Sequence, residues 1–320
     1  MNEAGYIRSL ICTIALSMTF ISCYRQSPEE ARALLEAQEI PFTNYEFVRN
    51  AAKSPPGILA LFINANMHPS ATTVDGYTAL MVASRVGNIP NINFLLQAGA
   101  SVRPRTQGGI TALMMAAQDC THPESILILL KAGAQAAEQS DDGSTALTFA
   151  TPLLGAGSTD CHPDVIRQLV KAGADPNHMN NHNWTPLMKA ITNGSLTNAA
   201  TLLELGANPN TKGGPYGWPP LQAAVRQDMN GIEMVRILLK YHADPNAIDK
   251  YNQSVLYIAR GKESISQLLL KAGAAPLPIP GKELQFGTYP VIAEDLLLPI
   301  DCQAFKKSLN LKLPCYGEYH

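Results

Sequence analysis

The stretch Asp75–Ala100, DGYTALMVASRVGNIPNINFLLQAGA, decides the fold. It opens on a glycine turn, passes through Thr78-Ala79-Leu80 with Ala83 three residues after the leucine, and closes on Leu95-Leu96 ahead of Ala98-Gly99-Ala100. Residues three apart share one helical face, so Leu80 and Ala83 make an apolar edge whose small alanine lets a neighbouring helix come close. A glycine after the second apolar run suits a helix that stops by entering the left-handed region, where other residues meet a Cβ clash. The stretch reads as a turn followed by two short helices.

The pattern recurs. Thr111-Ala112-Leu113, Thr145-Ala146-Leu147, Thr185-Pro186-Leu187, Pro219-Pro220-Leu221 and Ser254-Val255-Leu256 follow the first triplet, with leucines separated by 33, 34, 40, 34 and 35 residues. Ala116, Ala150, Ala190, Ala224 and Ala259 each stand three residues further on. A second ladder, Leu129-Leu130, Leu169-Val170, Leu202-Leu203, Leu238-Leu239 and Leu269-Leu270, precedes Gly133, Gly173, Gly206 and Gly273, while Asn66 and His242 take the glycine slot in two repeats. Both residue types tolerate positive φ, so His242 reads as a helix terminator.

Two helices, a tight turn and an extended loop every 33 or so residues resemble the ankyrin repeat. The likeness is carried by DGYTALMVASRVGN (75–88), NHNWTPLMKAITNGS (181–195), LVKAGADPN (169–177), LLELGANPN (202–210) and LLKYHADPN (238–246). It implies an all-α ankyrin-repeat solenoid of about seven repeats over residues 43–276, the first degenerate, with β-turn fingers projecting between helix pairs. The family's His after Thr-Pro-Leu is replaced by Met81, Met114, Thr148, Met188, Gln222 and Tyr257, which removes a local hydrogen bond.

Outside the repeats, Ser27-Pro28-Glu29-Glu30 reads as a capping box with Pro at the first helical position, opening a cap helix over the first repeat. Ahead of it, Ser9–Ser22 carries no charge and follows Arg8, the pattern of an export signal. Its 14 residues would span about 21 Å as a helix, short of the roughly 30 Å hydrocarbon core. Phe20-Ile21-Ser22-Cys23 resembles a bacterial lipobox, which implies lipidation at Cys23, and Tyr24 in place of Asp then favours the outer membrane. The expected organisation is a signal peptide (1–22), anchor and capping helix (23–42), repeats (43–276) and a C-terminal extension (277–320) without repeat signature. About four residues between Cys23 and Ser27, at roughly 3.3–3.6 Å each, keep the cap within about 15 Å of the membrane.

Charge narrows the partners. A formal net charge of -2 and no Lys/Arg run longer than Lys306-Lys307 exclude the basic face that nucleic acid requires. In an exported protein an even set of cysteines is read as disulfides by default, which pairs Cys302 with Cys315 and leaves Cys120 with Cys161. Cys120, His122, Cys161 and His162 also have the composition of a zinc set, but lack a Cys-x2-Cys clamp, so no metal and no cofactor are expected. There is no nucleophile elbow, phosphate loop or His-Glu-x-x-His helix, and no enzyme is expected.

What remains is surface. The residue before each Thr-Pro-Leu position is placed near a fingertip and reads Tyr77, Ile110, Ser144, Trp184, Trp218 and Gln253, so the two tryptophans fall at equivalent positions of consecutive repeats, with His182 and Tyr216 close by. Aromatic residues clustered on one face suit a binding hot spot, although the same rings could pack against the next finger. Arg103 and Arg105 on one finger, facing Glu138, Asp141 and Asp142 on the next, add charge that could orient a partner. The expectation is a monomeric, non-catalytic module of the bacterial envelope, lipid-anchored and binding a protein through its fingers and concave face. A secreted effector or toxin-neutralising protein, and a metal protein or enzyme built on the Cys/His loops, are the rivals.

Overall fold

The computed structural model describes residues 26–151, 161–227 and 230–275. Cys23, Cys302, Cys315, the export segment and the C-terminal extension lie outside the described residues. Within them the chain is helical, with a cap helix α1 (Pro28–Ala37) and seven helix pairs. The pairs are α2 (Asn44–Lys53) with α3 (Pro56–Asn64), α4 (Ala79–Arg85) with α5 (Ile89–Gln97), α6 (Ala112–Asp119) with α7 (Pro123–Lys131), and α8 (Ala146–Phe149) with α9 (Pro163–Lys171). They continue as α10 (Pro186–Thr192) with α11 (Leu196–Glu204), α12 (Pro220–Val225) with α13 (Gly231–Lys240), and α14 (Val255–Ile258) with α15 (Glu263–Lys271). First helices contact first helices of adjacent pairs and second helices contact second helices, giving a two-layer solenoid.

The recurrent triplet is a start signal. Thr78, Thr111, Thr145, Thr185 and Ser254 are N-caps whose side-chain oxygens accept from backbone N–H groups three residues on, satisfying donors a helix leaves open. The leucine and alanine behind each cap fill the core: Leu80, Leu113, Leu147, Leu187, Leu221 and Leu256 are buried, as are Ala83, Ala116, Ala150, Ala190, Ala224 and Ala259. Truncating one such leucine to Ala would cost about 2–5 kcal/mol. Second helices end as the spacing predicts, at positive φ: Asn66 at 71° and His242 at 65° beside the glycines of the other repeats.

One set of junction contacts joins these ends. Asn177 donates to the Gly206 carbonyl (3.0 Å) and accepts from Asn208 N (2.7 Å); Asn210 does the same with His242 and Asp244, and Asn246 with Gly273 and Ala275. Each amide thus bridges one repeat to the terminator of the next. At the opposite end α1 lays Ala31 and Leu35 on α3, and its Ser27/Glu30 capping box is formed. Arg32 covers Phe42 at 4.8 Å, and Phe42 in turn stacks on Phe62 at 5.9 Å.

Candidate protein-binding face

Between the helix pairs the chain projects as six fingers, 72–78, 105–111, 139–145, 179–185, 212–219 and 248–254, numbered 1 to 6 here. No β-strand forms among the described residues, but isolated antiparallel bridges close four fingers. The residue before each cap closes its finger and does not tip it. Its carbonyl accepts from the N–H four residues earlier, as in Thr73 to Tyr77, Thr106 to Ile110, Ser140 to Ser144, Asn180 to Trp184 and Asp249 to Gln253. The tip is the turn just before it, made by a positive-φ glycine in fingers 1, 2, 3 and 5 and by Asn183 and Asn252 in fingers 4 and 6. Tyr77, Trp184 and Trp218 therefore stand at finger bases, at the rim of the first-helix layer.

Finger 5 departs from this rule. Gly213 N donates to the carbonyl of Trp218, five residues on, and Trp218 N donates back to Gly213. The extra residue comes from GGPYG (213–217), where Gly214 and Gly217 adopt positive φ. Successive fingers 1 to 5 are tied by single backbone bonds, Gln107 N to Asp75 O, Asp141 N to Gly108 O, Asn181 N to Asp142 O and Gly214 N to Asn183 O. Between fingers 5 and 6 a side chain takes over, as buried Gln222 donates through Nε2 to the Gln253 carbonyl at 2.5 Å. The position where the family's His was replaced thus regains a polar bond here.

The two tryptophans have different surroundings. Trp184 lies against the Gly214 backbone, where a Cβ would stand 3.3 Å from its ring. Trp218 stacks on Tyr216 at 4.7 Å between centroids and 22° between planes, and the Arg226 guanidinium covers it at 4.3 Å. Tyr216, Trp218 and Arg226 thus form one contiguous stack. Tyr216 is 39 % exposed. Arg226 also donates to Gln222 Oε1 at 3.3 Å. Burial lowers the Arg226 pKa, and the charge of Asp249 offsets part of that loss. Asp249 itself is buried; its Oδ1 accepts from Tyr251 N and Gln253 N, and its Oδ2 has no hydrogen-bond partner among the described residues.

In finger 3, Asp142 accepts from Ser140 Oγ (2.6 Å), Ser144 N and Ser144 Oγ. Burial works to raise its carboxyl, but these bonds and the charge of the exposed His182 outweigh it and hold the pKa below the usual value. Lys189 beside it donates to the Thr148 carbonyl at 3.2 Å, its pKa lowered by burial and partly restored by Asp142.

Arg105 is not available to a partner in the way its sequence position suggests. It donates to the Gln139 carbonyl at 2.8 Å and pairs with Glu138 at 3.2 Å, joining its own finger to the next. Arg103 is exposed and, with Gln135 and Glu138, lines a separate cleft of about 320 Å³. Of the candidate residues, Arg105 pairs with Glu138, and Tyr216 and Trp218 stack on each other. Trp184 and His182 sit one finger before them, while Tyr77, Arg103 and Arg105 belong to fingers 1 and 2. Sequence reasoning missed Arg226 and Gln222, which reach the face from α12.

The Cys/His loops pair through their backbones, His162 N donating to the Cys120 carbonyl at 3.3 Å. The disulfide expected between Cys120 and Cys161 is not formed in the structure. Cys120 ends α6 in the left-handed conformation, and the Cys161 thiol donates to the Cys120 carbonyl, 3.8 Å away. Both cysteines are buried, whereas the ring nitrogens of His122 and His162 reach outward to Asp119 and Asp164. The four side chains do not converge on one point.

Comparison with known proteins follows the geometry. A family model described as ankyrin repeats in three copies matches residues 48–140 and again 113–213, and a single ankyrin repeat model matches 216–250. The ankyrin repeat protein YahD of Escherichia coli (strain K12) is 28% identical over 205 residues, 61% of this chain and 95% of that one. Ankyrin repeat and SOCS box protein 16 of Mus musculus is 35% identical over 128 residues, 38% of this chain and 28% of that protein. Among solved structures, the ankyrin repeat domain of human ASB11 superposes with a TM-score of 0.60 at 26% identity, covering 72% of this chain and 99% of the domain. That of Bcl-3 gives 0.58 at 24% identity, covering 70% and 97%, a likeness of fold alone. The helix pairs, their caps and terminators, and the matching models together say that this chain belongs to the ankyrin repeat family.

Proposed function

We propose that the chain is a non-catalytic protein-interaction module of the bacterial cell envelope, held at the membrane by acyl chains on Cys23 and binding a protein partner through its fingers and concave face. Ankyrin repeats are a general protein–protein interaction module, and the finer reading rests on two features. The observation that carries the binding face is the Tyr216–Trp218–Arg226 stack, a partly exposed set of the residue types enriched in hot spots, set on a finger held rigidly by its neighbours. The anchor rests on the sequence around Cys23. A single acyl chain binds membrane only marginally and reversibly, so the two or three chains of a processed lipoprotein are what would make the attachment lasting. No helix among the described residues is long and apolar enough to cross a membrane.

A photo-crosslinking residue in place of Tyr216, combined with mass spectrometry of the mature N-terminus, tests both halves. The expected result is a discrete protein adduct from position 216 and a mature chain that begins at acylated Cys23. An N-terminus at Met1 removes the envelope reading, and adducts no more abundant than those from an outer-layer position remove the face.

A further inference from the structure

The finger face changes charge along its length. In fingers 1 to 3 and their first helices the acidic residues are Asp75, Asp119, Asp141 and Asp142, against Arg85 and an Arg105 already held by Glu138. In fingers 4 to 6, their first helices and the turns that follow them (178–192, 211–227, 248–262) the cations are Lys189, Lys212, Arg226, Lys250, Arg260 and Lys262, with Asp228 and Glu263 next in the chain after the last two segments. Asp249, the one carboxylate of those segments, is buried.

The basic half is also where aromatic rings reach solvent. Tyr216, Tyr251 and Tyr257 are 39 %, 54 % and 43 % exposed. Cations lie on rings in both of its last repeats: Arg226 on Trp218 at 4.3 Å, Lys250 on Tyr251 at 5.1 Å and Arg260 on Tyr257 at 5.2 Å. A ring beneath a cation shields one side of it from water and fixes its place. A carboxylate approaching from the open side then meets a positioned, partly desolvated donor next to an apolar surface. Lys189 and Lys262 already donate to the Thr148 and Val225 carbonyls, so the outward charge rests with Lys212, Lys250 and Arg260, while Arg226 shares its donors with Gln222.

Building on the interaction-module reading, we infer that fingers 4 to 6 take an acidic, extended peptide segment of the partner, its carboxylates on the ring-borne cations and its apolar side chains on Tyr216, Tyr251 and Tyr257. Two inter-repeat steps at the usual helix packing distance span about 20 Å, or roughly six extended residues. Complementary charge of this kind sets orientation and association rate more than total affinity, and the acidic fingers 1 to 3 would repel the same segment if it bound in the wrong register.

Because Trp184 and Trp218 are the only tryptophans, their emission reports on this half alone. The full chain is titrated, at low and high salt, with a blocked dodecapeptide of alternating Glu and Gly, its Lys counterpart and a twelve-nucleotide oligouridylate. Expected are a saturable emission change with the Glu peptide that is lost at high salt, no response to the Lys peptide, and at least tenfold weaker binding to the Lys250→Glu/Arg260→Glu double variant. Arg85→Glu should bind as the parent does. Circular dichroism confirms that each variant is folded, and Lys250→Gln/Arg260→Gln repeats the test without charge reversal. No response to the Glu peptide, an equal response to the Lys peptide, tighter binding of the oligouridylate, or a double variant that binds as the parent does would each overturn the inference. A protein adduct from position 216 together with silence toward the Glu peptide removes the acidic segment and leaves the interaction module standing.

Discussion

Fingers 4 and 5 carry the same residue at the same place in the repeat, and the two tryptophans have different neighbours. Trp184 closes a finger of ordinary length and lies on the Gly214 backbone of the next. Trp218 closes a finger one residue longer and is held by Tyr216 and Arg226. One ring packs on the backbone of the neighbouring finger, and the other packs on Tyr216 of its own finger and on Arg226 behind it, leaving Tyr216 as the exposed ring. Equivalence along a repeat therefore fixes where a side chain starts, while the length of the finger decides what it meets.

The comparison breaks most visibly on stability. Trp184→Ala leaves the Gly214 turn without its covering ring and is expected to cost about 2–3 kcal/mol, below the range for a fully buried Trp because the side chain is only half-buried. Trp218→Ala should cost about 1–2 kcal/mol, from the ring pair with Tyr216 and the cation–ring contact with Arg226. Urea denaturation midpoints at constant m-value distinguish the two, and equal losses would erase the difference between the fingers.

On binding the order reverses. Trp218→Ala is expected to weaken the interaction with the crosslinked partner by about thirtyfold, near 2 kcal/mol, as hot-spot truncations do. Trp184→Ala, measured on folded protein by the same titration, should change it severalfold at most.

The glycines of finger 5 sharpen the point. Gly214 and Gly217 both have positive φ, 70° and 61°, so alanine at either costs about 1 kcal/mol of backbone strain. At Gly214 the added methyl also meets Trp184 at 3.3 Å, whereas at Gly217 nothing lies within 4 Å. Thermal denaturation should therefore place Gly214→Ala below Gly217→Ala, and the Trp184→Ala background should remove most of that gap.

The smallest effect concerns acid. With its pKa below the ordinary carboxylate value, Asp142 contributes stability that is fully present above about 3.9, the unfolded value, and is lost as the pH falls through the lower folded value. Asp142→Asn should therefore be less stable than the parent at pH 7, and the two should converge as unfolding is followed from pH 5 down toward pH 2. A constant difference across that window would mean that the bonds with Ser140 and Ser144, and not the charge, carry the effect. Finger 5 itself carries no carboxylate, so Trp218→Ala should leave the part of the acid limb set by Asp142 as in the parent.

Much of the fold could be read from spacing because each signal has a single physical job. The Thr of Thr-Ala-Leu satisfies open helix donors, the leucine and alanine fill the core, and Gly99 or His242 turns the chain left-handed. The asparagine bridges were not read, although Asn177, Asn210 and Asn246 were in view, since their partners lie in the next repeat. The long finger was hidden in a different way. Leu187 and Leu221 are separated by an ordinary 34 residues, and only the distance from terminator to cap betrays the insertion: 12 residues from Gly173 to Thr185 and 13 from Gly206 to Pro219. Arg226 escaped because a cation two helical turns beyond a ring is unremarkable until finger 5 bends Trp218 back toward it. The even count that paired Cys120 with Cys161 carries no geometry, and the backbone bond between their loops does not fix the direction of a thiol.

The cap helix α1 has a consequence of its own. A stack in which each unit touches only its neighbours has no natural length, and an uncovered end offers the same apolar surface that the next unit would supply. Helix α1 turns only Ala31 and Leu35 toward that surface and sets Glu29, Glu30 and Glu36 against the solvent. Any second copy approaching this end meets a carboxylate fence in place of a template.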